Sequence, residues 1–193
     1  DADLTLDLPA NITAYSGIDA MVHAIEAYTT KIKKNPISDS LAKKALSLLG
    51  SNIRIVVNDP KNRAARENML LGSMLAGMAF ANAPCAAVHA LAYPIGAKFH
   101  VPHGLSNSLV LSKVLQFNSL TAEDMYCEIA ADCIPQLVGK KITIDSFIIV
   151  DVSRSEIRKL LSVNCTSFTL ALPLAISLLA SFPEDAKPAL IKS

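Results

Sequence analysis

Residues 16–30 read SGIDAMVHAIEAYTT, and their pattern indicates a helix. Apolar side chains recur at the three- and four-residue spacing that places them on one face of a helix, at Ile18, Met21, Val22 and Ile25. We predict that this helix begins at Ser16, because Ser16 and Asp19 form an S-x-x-D start signal, and that it ends near residues 31–34. Residues 1–15 alternate apolar and polar positions and predict an extended segment.

The composition supports a helical fold for the whole chain. Of its 193 residues, 51% are hydrophobic and only 18% are charged, with 5% aromatic residues and no tryptophan. Alanine, leucine, isoleucine and valine therefore supply most of the core, a mixture that suits closely packed helices. The length predicts one domain, and the formal charge of +1 gives no field that would attract nucleic acid or anionic lipid. We predict an all-α fold, a multi-helix bundle.

Further helices are expected along the chain. The predicted segments run from Ser38 towards Val57, over 62–83, from 84 until Pro94, over 105–118 and over 121–137. The later part of 62–83 is apolar on nearly every side, so we expect that helix at the centre of the domain. After about 138 the pattern changes: residues 140–152 are β-branched and suggest a strand, and residues 153–163 suggest a short helix.

Neither the cysteines nor the apolar stretches indicate a secreted or membrane protein. The four cysteines form no C-x-x-C pair, and no motif joins one of them to a histidine as a nucleophile, so we interpret them as reduced core residues: Cys85, Cys127, Cys133 and Cys165. Residues 169–182, the longest apolar stretch, contain Pro173 and are fewer than the ~20 that a spanning helix requires. We expect a cytoplasmic protein, or one of the mitochondrial matrix, and the start at Asp1 suggests an interior cut through a longer protein.

Four polar side chains stand out against this apolar background. Asp19 and His23 are four positions apart on one predicted helix, so their side chains lie on the same face. His89 lies in an apolar segment, and His103 lies at a corner between two helices. One carboxylate and three imidazoles form a donor set that suits Fe²⁺ or Zn²⁺. The sequence therefore predicts a metal site.

From spacing alone, other interpretations stay open. Asp19 and His23 could be simple partners on a helix surface, and a buried histidine could be hydrogen-bonded within the core. Glu26, three positions after His23, could accept a hydrogen bond from a ligand imidazole. We instead expect Glu26 to be a solvated charge on the helix surface.

Two longer strings carry a resemblance to a known family. GIDAMVHAIEAY at 17–28 and VHALAYPIGAKFHVPHGLSNSLVL at 88–111 resemble the signature segments of the iron-containing alcohol dehydrogenases, also called group III alcohol dehydrogenases. The resemblance covers about residues 1–137, and it implies that these form the helical metal-binding domain of such an enzyme, with 138–193 as a divergent C-terminal part of the same domain. It further implies one divalent iron, or zinc, bound by four side chains: Asp19, His23, His89 and His103.

The resemblance also implies roles for three aromatic side chains. Tyr93 stands where many members have a histidine near the nicotinamide. We expect Tyr93 to be catalytic, although a phenol shuttles protons less readily than an imidazole at neutral pH. Phe80 is expected to line the substrate pocket, and His100 is expected to lie near the cofactor.

The implied activity is an NAD(P)-linked interconversion of a primary or secondary alcohol and its aldehyde or ketone. Separately, the small residues within 62–83 and the scarce charge indicate burial against a partner, so we expect a homo-oligomer. The family has an NAD(P)-binding α/β domain with a GGGS-type phosphate turn ahead of its helical domain, and the 193 residues contain no such turn. We therefore expect NAD(P) to be bound mainly by a domain absent from this chain, and the chain alone to be inactive. The alternative is a non-catalytic helical fragment or remnant that keeps the metal site. Glycerol dehydrogenases and dehydroquinate synthases use a different ligand set, and HVPHG at 100–104 argues against them.

Overall fold

The computed structural model describes residues 1–143, and these fold as an all-α bundle. Five helices follow a short 3₁₀ turn at Ala2–Thr5, and they span α1 Ala10–Thr29, α2 Pro36–Asn58, α3 Arg63–Asn82, α4 Ala87–Phe99 and α5 His103–Cys133. A second 3₁₀ turn, Pro135–Leu137, comes after α5. No strand occurs within residues 1–143. The all-α prediction is confirmed.

Helix α1, and not α3, lies at the centre of the bundle. It packs against α2, α3 and α5, and its residues are buried on almost every side, with Val22, Ala24 and Ala27 fully enclosed. The expectation that residues 62–83 form the central helix is wrong. Helix α3 instead exposes a row of large apolar side chains, Leu70, Leu71, Met74, Met78 and Phe80. An apolar sequence identifies a helix with little charge, but it does not identify which neighbour covers each face.

The start of α1 differs from the predicted one. The helix begins at Ala10, directly after Pro9, so residues 10–15 are helical and not extended. Ser16 lies inside the helix, where its hydroxyl donates to the Ile12 carbonyl at 2.9 Å and caps nothing. Thr13 and Ala14 are buried in this first part of the helix. Packing therefore extends the helix towards the N-terminus, ahead of the start signal at Ser16.

Two interruptions predicted from the sequence are also absent. Helix α4 continues through Pro94. Because proline has no N–H, the Ala90 carbonyl lacks its helical hydrogen-bond donor, and Ala90 is exposed to solvent. Helix α5 runs without a break from His103 to Cys133. The Thr121 hydroxyl donates back to the Asn118 carbonyl at 3.4 Å within that helix, so the predicted start of a new helix at residue 121 is absent.

Two local features bring the histidines together. Residues 83–86 connect α3 to α4, and the chain bends by 108° between these two helices. At the start of α5, Gly104 lies against α1 so closely that a Cβ atom there would be 2.0 Å from the Tyr15 carbonyl oxygen. Glycine thus permits an approach that places His103 beside α1. No single helix among the described residues is long and apolar enough to span a membrane, and only the bent pair α3 and α4 passes that test together.

Several predictions lie outside the described residues. The predicted strand over 140–152 falls outside them for most of its length, and so do the whole helix over 153–163 and Cys165. The division of the chain at 138 stays a prediction.

Candidate metal centre

Helix α1 supplies two of the candidate ligands from one face. Asp19 and His23 are both half-buried, and the Nδ1 of His23 lies 2.8 Å from the Asp19 backbone carbonyl oxygen and 3.7 Å from its Oδ1. An Nδ1–H that donates to this carbonyl leaves Nε2 of His23 free to offer a lone pair. The helical spacing therefore both pairs the two side chains and orients the ring.

Glu26 is buried and holds His89 in place. Both residues are almost inaccessible to solvent, with Glu26 3% and His89 2% exposed. One carboxylate oxygen of Glu26 lies 2.6 Å from Nδ1 of His89, and the other accepts the backbone N–H of Val88 at 2.7 Å. The expectation of a solvated Glu26 is wrong, because the start of α4 covers it. This hydrogen bond directs Nε2 of His89 towards Asp19.

Asp19, His89 and His103 come from three helices and meet at one point. The Oδ1 atom of Asp19 lies 3.3 Å from Nε2 of His103 and 3.5 Å from Nε2 of His89. One ligand atom from each of the three residues lies within 4.8 Å of the others. A carboxylate oxygen with imidazole nitrogens is a donor set that suits Fe²⁺ or Zn²⁺, so these side chains fit a divalent metal. We call this group the carboxylate triad.

The Asn107 side chain lies against all three residues of the carboxylate triad. It lies on α5, one turn after His103, and is fully buried. Its Nδ2 donates to Oδ1 of Asp19 at 2.5 Å and lies 3.3 Å from Nε2 of His89 and 3.4 Å from Nε2 of His103. Its Oδ1 is buried without a hydrogen-bond partner among the described residues.

The electrostatics of the triad match this arrangement. Burial opposes a charge on Asp19, but the hydrogen bond from His89 and the charges of His23 and His103 outweigh it and lower the pKa of Asp19. Burial likewise opposes a charge on His89, but its bonds with Asp19, Cys85 and Glu26 raise its pKa to about 12.

A thiol lies on the other side of His89. Cys85 is half-buried in the connection between α3 and α4, and its sulfur forms a second group with His23 and His89, whose candidate ligand atoms all lie within 4.8 Å. The ring centroids of His23 and His89 are 4.1 Å apart. Interpreting Cys85 as a plain core residue is wrong. We call this second group the thiol triad.

Of the three aromatic residues with predicted roles, Phe80 and Tyr93 contact the histidines of the site and His100 does not. The Phe80 ring lies 4.5 Å from that of His23, and the Tyr93 ring lies 5.3 Å from that of His103, nearly parallel to it at 24°. Tyr93 is 63% exposed, so its phenol is accessible to a ligand. His100 is exposed at the carboxyl end of α4 with φ 54. No ring contact joins it to the histidine cluster within residues 1–143.

Sequence reasoning missed Asn107 and Cys85 and named Glu26 only as the alternative to a solvated charge, although Glu26 and Asn107 both had a signal. Glu26 and Asn107 each follow a predicted ligand by three or four positions, His23 and His103 respectively, which places them one helical turn away. Cys85 had no such signal, because it lies in a connection whose path depends on how α3 and α4 pack.

Comparisons with known proteins agree with the fold and the motifs. Residues 13–142 match the model of the Fe-containing alcohol dehydrogenase family, C-terminal. The probable alcohol dehydrogenase EutG of Escherichia coli is 43% identical over 129 residues, which are 67% of this chain and 32% of the relative. The 1,3-propanediol dehydrogenase of Klebsiella pneumoniae is 40% identical over 74% of this chain and 35% of its own length.

The fold comparison gives the same result. The crystal structure of a 1,3-propanediol oxidoreductase superposes with a TM-score of 0.73 at 32% identity, over 100% of this chain and 51% of that chain. This chain therefore spans about a third of the length of these curated relatives and about half of that structure. Since the family model covers more than half of the residues, the chain belongs to the Fe-containing alcohol dehydrogenase family and corresponds to its C-terminal, helical part.

Proposed function

We propose that this chain is the metal-bearing part of an NAD(P)-dependent alcohol dehydrogenase that interconverts a primary or secondary alcohol and its aldehyde or ketone. Asp19, His23, His89 and His103 would hold one divalent ion, with Fe²⁺ as the first candidate and Zn²⁺ as the second. The observation that carries the proposal is the convergence of Asp19 Oδ1 with Nε2 of His89 and of His103. The contact of His23 with Asp19 and with the His89 ring supports its place as the fourth ligand.

Bound at these side chains, the ion would supply Lewis-acid polarisation of an alcohol or carbonyl oxygen. The chain itself supplies orientation and charge. Glu26 holds His89 through Nδ1 at 2.6 Å, and Asn107 holds Oδ1 of Asp19 at 2.5 Å. These bonds fix the ligand atoms before any substrate arrives, which lowers the reorganisation needed for the reaction.

The aromatic side chains would shape the substrate side of the site. Phe80 packs on His23 and would give the pocket an apolar wall. Tyr93 stacks on His103 with its phenol exposed, so it would donate a hydrogen bond to the substrate or to the nicotinamide part of the cofactor. A role for His100 beside the cofactor stays a prediction, because its exposure alone supports no contact.

The substrate class rests on the relatives, and the cofactor rests on the family resemblance. The relatives are named as a probable alcohol dehydrogenase and a 1,3-propanediol dehydrogenase, which supports an alcohol as the substrate here. NAD(P) would be bound mainly by a domain outside these residues. Homo-oligomerisation also stays a prediction; the exposed apolar face of α3 would supply a surface for it, and sedimentation would measure it.

The proposal is tested by metal content and activity together. Protein purified anaerobically from the full reading frame that encodes this chain should contain about one iron or zinc per chain and should form NAD(P)H in the presence of an alcohol. Asp19→Ala should lose the bound iron and the activity, because it removes the only carboxylate in the carboxylate triad. Asp124→Ala, at an exposed position on α5, is the matched control and should lose neither.

Two outcomes would contradict the proposal. Alcohol oxidation by metal-free Asp19→Ala protein would separate the reaction from the site. Stoichiometric metal without alcohol-dependent NAD(P)H formation would favour the alternative, a non-catalytic remnant that keeps the metal site.

A further inference from the structure

The thiol triad contains the donor atoms of a zinc-type site. Cys85, His23 and His89 each offer one ligand atom, and these atoms lie within 4.8 Å of one another. A sulfur with two imidazole nitrogens is a set that thiophilic divalent cations prefer, Zn²⁺ foremost, and three protein ligands leave a fourth coordination position open. The proposed dehydrogenase function does not use the sulfur.

Both imidazoles already have the second hydrogen bond that metal-bound histidines usually make. The Nδ1 of His23 lies 2.8 Å from the Asp19 backbone carbonyl oxygen, and the Nδ1 of His89 lies 2.6 Å from Glu26 Oε2. Such bonds fix the ring and the tautomer, so that Nε2 is the nitrogen that remains for a cation. The two imidazoles of the thiol triad are therefore held in orientation by the Asp19 backbone carbonyl and the Glu26 carboxylate, and neither of these groups is a ligand atom in either triad.

The thiol triad cannot be filled independently of the carboxylate triad. Both groups contain His89, and since Glu26 occupies its Nδ1, a single nitrogen of His89 remains. One nitrogen lone pair binds one cation. An ion held by Cys85 and His23 would therefore take His89 away from Asp19 and His103.

We propose that Cys85, His23 and His89 form a second binding position for a thiophilic divalent cation of the zinc class. This position competes with the carboxylate triad for His89, and it also takes His23, the proposed fourth ligand of the iron site. The proposal that the thiol triad binds a cation depends only on the positions of its three side chains. Only its consequence, inhibition of alcohol oxidation by excess zinc, rests on the proposed function.

Cobalt is the probe that reports the sulfur directly. Metal-free protein is titrated with Co²⁺ under anaerobic conditions, and the near-ultraviolet band that arises from charge transfer between thiolate and cobalt is recorded. We expect the band to appear in the unchanged chain and to rise to a plateau as Co²⁺ is added. Cys85→Ser and His23→Ala should each lose it, because each removes a ligand of the thiol triad.

Two variants separate this position from other sites. Asp19→Ala should keep the band, since Asp19 contributes only to the carboxylate triad. Cys127→Ser is the matched thiol control: Cys127 is also half-buried, but it lies on α5 near Glu123 and Asp124, and its removal should leave the band unchanged. Circular dichroism of each variant shows whether the helices are intact.

A second measurement needs no substitution. Saturating Zn²⁺ should slow the alkylation of Cys85 by iodoacetamide several-fold, as located by mass spectrometry of the peptides, and should leave Cys127 unaffected.

Four results would overturn the proposal: no band in the unchanged chain, a band that persists in Cys85→Ser, a band lost in Asp19→Ala, or equal alkylation of Cys85 with and without zinc. A Cys85→Ser protein that still holds iron and oxidises alcohols would leave the proposed function intact. Failure of one proposal is therefore distinguishable from failure of the other.

Discussion

The two triads that share His89 differ in how they are built. The carboxylate triad takes its atoms from the helices α1, α4 and α5, whereas the thiol triad takes its sulfur from the connection between α3 and α4. Helical residues are tied to their neighbours by a regular spacing, so Asp19 and His23 could be paired from the sequence. The position of Cys85 depends on a 108° bend between two helices. The comparison teaches that a binding position can adjoin a recognisable motif and still have no signature of its own.

The support of the two triads differs as well. Asn107 closes the carboxylate triad, and Gly104 lets α5 approach α1 closely enough to bring His103 to Asp19. The thiol triad depends on neither residue. Glu26, which holds His89, serves both. Substitutions at Asn107 or Gly104 therefore separate the two positions, whereas substitutions at Glu26 or His89 would affect both together.

The largest effect is expected at the shared support. Glu26→Ala leaves the Val88 N–H and Nδ1 of His89 buried without their acceptor, which should lower the free energy of unfolding by about 3–5 kcal/mol. Urea unfolding of the metal-free protein measures this. Glu67→Ala, at an exposed carboxylate on α3, is the control and should change stability by about 0–1 kcal/mol. A loss in Glu26→Ala no larger than that of the control would show that Glu26 does not anchor the cluster.

A smaller and one-sided effect is expected at Gly104. A Cβ atom there would lie 2.0 Å from the Tyr15 carbonyl oxygen, so Gly104→Ala must push the start of α5 away from α1. We expect a loss of about 1–3 kcal/mol in unfolding free energy, weaker iron binding, and an unchanged cobalt–thiolate band, because His103 moves while Cys85 does not.

Gly77→Ala on α3 is the matched control for that substitution. Nothing lies within 4 Å of a Cβ atom at Gly77, so this variant should gain about 0.5–1 kcal/mol from the better helix propensity of alanine. Equal losses in Gly104→Ala and Gly77→Ala would contradict the close approach of α5 to α1. Loss of the cobalt band in Gly104→Ala would show that the two triads are not separable.

The sequence predicted the elements better than their ends. Helix α3 begins after Asn62, as expected, because the Asn62 side chain accepts the Ala65 N–H and caps the helix with local groups. The patterns beginning at Ser16 and Thr121 looked equally local but lie inside longer helices. Burial of neighbouring side chains outweighs a start signal, and a single sequence does not report which side chains a distant helix will cover.

The candidate site shows the same limit. Spacing within α1 placed Asp19 beside His23. The apolar segment and the helix corner singled out His89 and His103, and family resemblance joined all four in one site. The spacing offered Glu26 as an acceptor for a ligand imidazole and left a solvated position equally open. The start of α4 decides between them, because it covers Glu26. The exposed apolar row on α3 is the opposite case. Its apolar pattern predicts burial at the centre of the bundle, but the described residues leave this face uncovered.

The smallest expected effect is a pH dependence of the unfolding free energy that comes from a residue outside both triads. Tyr28, near the carboxyl end of α1, is buried and donates to Glu128 Oε2 at 2.6 Å. Burial and this carboxylate raise the pKa of Tyr28 well above its usual range. The unfolded phenol ionises near pH ~10. Above that pH the folded state holds a proton that the unfolded state has released, so the free energy of unfolding falls as pH rises, whereas below it Tyr28 contributes no slope.

Tyr28→Phe should therefore make the alkaline loss of stability shallower without abolishing it, because burial also raises the pKa of Tyr126 to about 12. Urea unfolding between about pH 9 and 11, with a chelator present, measures the slope on either side of the phenol's ordinary pKa. Cys85→Ser and Asp19→Ala should both keep the slope that Tyr28→Phe reduces, since Tyr28 bonds to α5 and to neither triad. An unchanged slope in Tyr28→Phe would contradict the buried hydrogen bond. A slope that disappears in Asp19→Ala would mean that the metal-binding cluster, and not the scaffold around it, controls the stability of the bundle in alkali.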